Sequence, residues 1–231
     1  VNNGVQFSPP PLTPFVKRLI ITLASAFVAE LVLENFLHIE IIKWLALSPS
    51  SLGIQTLWQV VTYVLVEGRP NDLLISLVFI WLLVSPFELR YGRRRAMEIS
   101  ALSVVAAACA AIIAAFVAPA SPLVGSQAIT YAIMAATCWS AKHDVLRLFF
   151  LFRLTGLQAL AGLAGFALLW FLYTMSYTHL VAAFAALGAG VGYVEWMRKG
   201  PAMFRRSTRP GRGGLRAVRG GRDSERPKWL N

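Results

Sequence analysis

The chain has 231 residues, of which 57% are hydrophobic and 14% charged, with a formal net charge of +11. An ordinary soluble domain is roughly 45–50% apolar and about 25% charged, so this composition excludes a soluble globular protein. The charge is also uneven: Arg198–Asn231 holds eleven of the 22 Lys and Arg residues against only Asp223 and Glu225, leaving a body that is close to neutral.

In chain order, residues 1–18 form a polar, proline-rich segment (Pro9, Pro10, Pro11, Pro14) that carries Lys17 and Arg18. The first apolar run continues past signal-peptide length and reads as a membrane anchor. Six apolar stretches follow between residues 19 and 197, near Leu19–Phe36, Leu73–Phe87, Met97–Ala118, Gly125–Ser140, Leu154–Leu172 and His179–Trp196. A helix needs about 20 residues to cross the hydrocarbon core, so the second and fourth look short. Helices are expected throughout, because backbone groups in lipid must be satisfied internally and a helix does this alone. The fold class is therefore all-α, a polytopic membrane protein with six transmembrane helices.

Connection charges give the orientation. Lys17 and Arg18 precede the first span, Arg90 and Arg93 to Arg95 follow the second, Lys142, Arg147 and Arg153 lie between the fourth and fifth, and the tail follows the sixth. The positive-inside rule then puts both termini in the cytoplasm, which an even number of spans also requires. A bacterial inner membrane suits the size. The long connection after the first span, with Trp44 and Trp58, is expected to be a structured outer loop with short interfacial helices.

Cys109 and Cys138 have neither disulfide nor metal spacing and read as packing residues. Neither a metal nor an organic cofactor is implied. In the tail 198–231, Gly, Pro and Arg are too dense to build a core, and disorder is expected. Its uses are topology anchoring, binding of anionic inner-leaflet lipids, or an RGG-like hold on nucleic acid. Without aromatic interleaving, nucleic acid is not expected as a partner.

Two residues suited to nucleophilic chemistry fall on the outer side: Ser126 and His179 each open a span that runs inward. A serine needs an adjacent base, and a helix start offers N–H groups for an oxyanion. Beyond His179, Ala182, Ala183, Ala186 and Gly190 share one face, where small residues allow close helix approach. Glu30, Glu34 and His38 form a polar stripe on the first span, which either packs on the outer loop or lines a water-filled path as in a small transporter.

These motifs resemble the rhomboid family of six-span intramembrane serine proteases. Trp58-Gln59-Val60-Val61-Thr62-Tyr63 resembles the family's W-[RQ]-x-x-T-[YHS], Glu88 to Gly92 its E-x-x-x-G, and His179-Leu180 with the small residues after it its A-H-L-x-G seam. The family's G-x-S-G can be laid on Val124-Gly125-Ser126-Gln127-Ala128 in two registers. One makes Ser126 the nucleophile; the other aligns Gly125 with the first glycine, puts Gln127 at the nucleophile position and brings Tyr131 beside the histidine. An ungapped count puts the family's oxyanion-side H-x-x-x-N on Asp72 and Ser76.

The resemblance implies a serine endopeptidase that cleaves transmembrane segments, with Ser126 attacking, His179 as base and then acid, and N–H groups near Gly125 and Gln127 stabilising the oxyanion. The alternative it implies is an inactive pseudoprotease that binds transmembrane clients. A small transporter is the third reading.

Overall fold

The structure, a computed structural model, describes residues 10–38, 40–49, 53, 57–118, 121–142, 145–148 and 152–200. The residues 1–198 form one unit and 199–231 a second. Beyond Gly200 the tail expected to be disordered lies outside the described residues, as do residues 1–9.

The apolar stretches fold as helices: the first, second and sixth extend past the hydropathy windows at both ends, the third starts earlier but stops at Ala115, the fourth starts only at Gln127, and the fifth is displaced by two residues toward the C-terminus. Helix α1 (Pro14–Leu37) opens with proline at its first turn, where the missing N–H costs nothing. The long connection after α1 carries α2 (Ile41–Leu45) and α3 (Gln59–Thr62), the latter running into a 3-10 turn at Tyr63–Leu65. The second span is one rod, Pro70–Tyr91, made of α4 (Pro70–Phe79), a π turn (Ile80–Val84) and α5 (Ser85–Tyr91). Helix α6 (Arg93–Ala115), α7 (Gln127–Ser140), α8 (Gly156–Thr174) and α9 (Tyr177–Lys199) complete the bundle.

Among the described residues four helices are long and apolar enough to cross a membrane: the rod, α6, α8 and α9. Helix α1 has the length and carries Lys17, Arg18, Glu30 and Glu34. Helix α7 has only 14 residues, about 21 Å at 1.5 Å per residue. The connection between α7 and α8 contains a feature absent from the helical reading, an antiparallel pair of strands, β1 (Val145–Leu148) and β2 (Phe152–Thr155). Helix α8 then starts on a capping box, in which Thr155 Oγ1 accepts from Gln158 N–H and Gln158 Oε1 accepts from Thr155 N–H.

The core is built largely of small residues. Ala107, Ala108 and Ala111 of α6, Ala132, Ala135 and Ala136 of α7, and Ala186 of α9 are completely buried. A Cβ on Gly190 would lie 2.1 Å from the Ala132 carbonyl oxygen, so only glycine allows α9 this close to α7. Leu157, Phe166, Leu168, Leu169 and Leu172 of α8 are exposed, which is the normal state of a lipid-facing side chain. Cys138 is buried, whereas Cys109 is exposed on α6.

Candidate functional site

The site is assembled by the connection between α1 and α4 and the segment before α7. The polar side chains of the Trp58–Tyr63 run satisfy backbone groups that the irregular chain leaves open. Trp58 Nε1 and Gln59 Nε2 donate to the Trp44 carbonyl, Ser48 N–H donates to Gln59 Oε1, and Thr62 Oγ1 donates to the Leu45 carbonyl. The Tyr63 hydroxyl donates to the Val104 carbonyl at 3.0 Å, tying the loop to α6. A two-way backbone bridge joins Leu47 to Leu123, and Gly125 N–H donates to the Tyr63 carbonyl. The loop therefore fixes the chain on its way into α7.

Gly125 turns that chain with φ +99°, a conformation L side chains avoid, and a Cβ there would meet Glu67 Oε2 at 3.3 Å. The turn brings Ser126 against Glu67. Ser126 Oγ donates to Glu67 Oε1 at 2.8 Å and Ser126 N–H donates to the same oxygen at 3.0 Å. Ser126 is wholly buried and Glu67 is 2% exposed. The serine hydroxyl is thus spent on a buried carboxylate, and it does not cap α7. Glu30 of the first-span stripe is also buried, while His38 is exposed.

His179 sits in the first turn of α9, half-buried. Its Nδ1 is 2.8 Å from Ser176 Oγ, which in turn is 2.5 Å from Ser121 Oγ. Ser176 Oγ also accepts the His179 N–H at 3.4 Å, and Ser121 N–H donates to Thr178 Oγ1 at 3.0 Å. The ring is therefore held from one side by a chain of two hydroxyls.

Two cavities meet at this histidine. The smaller, of about 20 Å³, is lined by Tyr63, Gly125, Gln127, Tyr131, His179 and Ala182; that is room for about one water. The larger, of about 310 Å³, is lined by Asp72 and Arg69 from the start of the rod, Gln127, Trp170 of α8, Ser176 and His179. Gln127 and His179 thus line both, Gly125 and Tyr131 the smaller and Asp72 the larger, whereas Ser126 lines neither. Ser76 is buried one turn after Asp72 on α4 and lines neither cavity.

Glu67, Ser121 and Ser176 carry as much of this geometry as the motif residues do. Ser176 had a local signal, since a serine three residues before a histidine that opens a helix is at capping distance. Glu67 had none, because its partner is 59 residues away.

The far end of the bundle explains the other matched motif. Glu88 is buried and accepts hydrogen bonds from Thr13 Oγ1, from Phe15 N–H at 3.2 Å and from Val16 N–H at 3.4 Å, so it caps α1 from another helix. Four residues later Gly92 takes φ +89°, which separates α5 from α6.

The geometry accounts for each of these motifs, and comparison with known proteins agrees. No curated protein matches the chain. Residues 55–197 match the family model described as Rhomboid domain, a stretch that runs from the connection before α3 to near the end of α9 and includes every residue lining the two cavities. The chain is an integral membrane protein and belongs to the rhomboid family, whose members act on transmembrane substrates within the bilayer.

Proposed function

We propose that this rhomboid-family protein binds transmembrane segments of other membrane proteins without cleaving them, as a pseudoprotease. One observation carries the reading. Of the two neighbours that compete for the position beside His179, Gln127 lines both cavities with the histidine, while the Ser126 hydroxyl is buried on Glu67. A carboxamide is not a nucleophile, and a serine without an adjacent base is a weak one. Asp72, where the family has an oxyanion donor, only accepts hydrogen bonds when ionised.

What remains is a polar recess that can satisfy backbone groups of a partly unwound client segment, which lipid cannot do. The small-residue seam of α7 and α9 holds Gln127 and His179 beside it. On the same reading both termini are cytoplasmic in a bacterial inner membrane, because Lys17, Arg18, Arg90 and Arg93 to Arg95 cluster where Glu88 joins α1 to α5. The basic tail would then meet anionic inner-leaflet lipids.

The test uses a single-span reporter protein co-expressed with the full chain, and a photoreactive amino acid at Trp170 or, as control, at the lipid-facing Leu169. The expected result is an intact reporter, with crosslinks from position 170 well above those from 169. Reporter cleavage that disappears in Ser126→Ala would overturn the reading.

A further inference from the structure

The hydrogen-bonded chain Ser121–Ser176–His179 has more structure than capping needs. Ser176 Oγ lies 2.8 Å from His179 Nδ1, inside the range of about 2.6–3.2 Å expected between a nucleophile and its general base. Ser121, Ser176 and His179 all line the 310 Å³ cavity, so the pair is open to a small molecule, unlike the wholly buried Ser126. Ser121 is one hydroxyl further from the ring and contacts it only through Ser176.

We propose that Ser176 and His179 form a nucleophile–base pair distinct from the Ser126 position of the family motif, and that Ser176 accepts the acyl group of an ester entering the larger cavity. The inference goes beyond client binding and concerns a different hydroxyl. In the forward step the Ser176 Oγ–H proton passes to His179 Nδ1 as the Oγ–carbonyl carbon bond forms. The ester's C–O bond then breaks, and the departing alkoxide takes that proton to leave as an alcohol. Water completes the cycle by attacking the acyl carbon while His179 accepts its proton. The carboxylic acid departs, and the proton returns to Ser176 Oγ.

Donors for the transient oxyanion are at hand. Gln127 lines the same cavity and carries a carboxamide N–H₂. The Ser121 hydroxyl already touches Ser176 Oγ. On this assignment Gln127 changes from a lost nucleophile into a hydrogen-bond donor.

The test is covalent labelling of the full chain in detergent micelles with an alkyl fluorophosphonate, read by intact mass and by mapping the modified peptide. The reaction balances: the Ser176 Oγ–P bond forms, the P–F bond breaks, fluoride leaves and His179 takes the proton. The expected result is one adduct, on Ser176, with a labelling rate lowered at least about 100-fold in His179→Ala, in line with loss of a general base. Mapping the wild-type adduct needs no variant, so a fold lost in Ser176→Ala would not blur the answer.

No adduct on the wild type overturns the inference and leaves client binding standing. So does a Ser176 adduct whose rate is unchanged in His179→Ala, since that hydroxyl would owe nothing to the ring. An adduct on Ser126 overturns both this inference and the proposed function.

Discussion

The two ends of the helix bundle treat their polar groups differently. At the end where α1 begins and α9 finishes, carboxylates are tied to another helix. Glu88 holds α1, Glu98 of α6 accepts from the Tyr193 hydroxyl of α9 at 2.6 Å, and Glu195 of α9 accepts from Trp139 Nε1 of α7 at 2.7 Å. At the end where α7 and α9 begin, Asp72, Gln127, Ser176 and His179 line open volume instead. The first end spends its hydrogen-bonding capacity on holding helices together, and the second leaves part of it facing open volume.

Substitutions can break or sharpen this contrast. The largest loss is expected from Glu88→Ala, which removes an acceptor shared by three donors. Hydrogen bonds to a charged group are worth about 1.5–3 kcal/mol each, so thermal unfolding in detergent should show a deficit of at least about 3 kcal/mol. A wild-type melting curve would mean that this end does not hold the bundle. Gly190→Leu comes next. With the Ala132 carbonyl at 2.1 Å from the new Cβ, α7 and α9 must separate, at a cost of up to about 3 kcal/mol, visible in the same melt.

Glu67→Ala is expected to cost about 1–3 kcal/mol, because it leaves the buried Ser126 N–H and hydroxyl without their acceptor. If it also produced reporter cleavage that depended on Ser126, Glu67 would be a restraint on the serine and not only a structural partner. Tyr193→Phe should lose about 1 kcal/mol or less, since water screens a partly exposed carboxylate. At the cavity end, Asp72→Asn and Gln127→Ala are expected to change stability by no more than about 0.5 kcal/mol, while lowering crosslinking to the reporter from position 170. Destabilisation as large as that of Glu88→Ala would erase the contrast between the ends.

Much of the fold was legible because each span is a long apolar run, and hydropathy reports such runs directly. The ends were less so: α1 starts at Pro14 rather than Leu19 because Glu88 caps it from 72–75 residues away. The π turn at Ile80–Val84 lies inside an unbroken apolar stretch that looks the same as α-helix, and the β1–β2 pair lies in a connection read only for its charge. At the site, Ser126 and Gln127 stood as alternatives beside His179. Local sequence cannot rank them, since the orientation of this turn depends on the positive φ of Gly125 and on the distant carboxylate of Glu67.

The π turn has a consequence for how the rod tolerates change. A π turn holds one residue more than an α turn, so it shifts everything after it by about 100° around the helix axis. The rod is in effect two helices spliced out of phase, with Asp72 facing the cavity on one side of the splice and Glu88 facing α1 on the other. Removing a single residue from Ile80–Val84 would restore regular α-helix and still leave enough apolar length to cross the bilayer. It would also rotate Glu88 away from Thr13 or Asp72 away from the cavity. The splice makes the length of this span a coordinate shared by both ends of the protein.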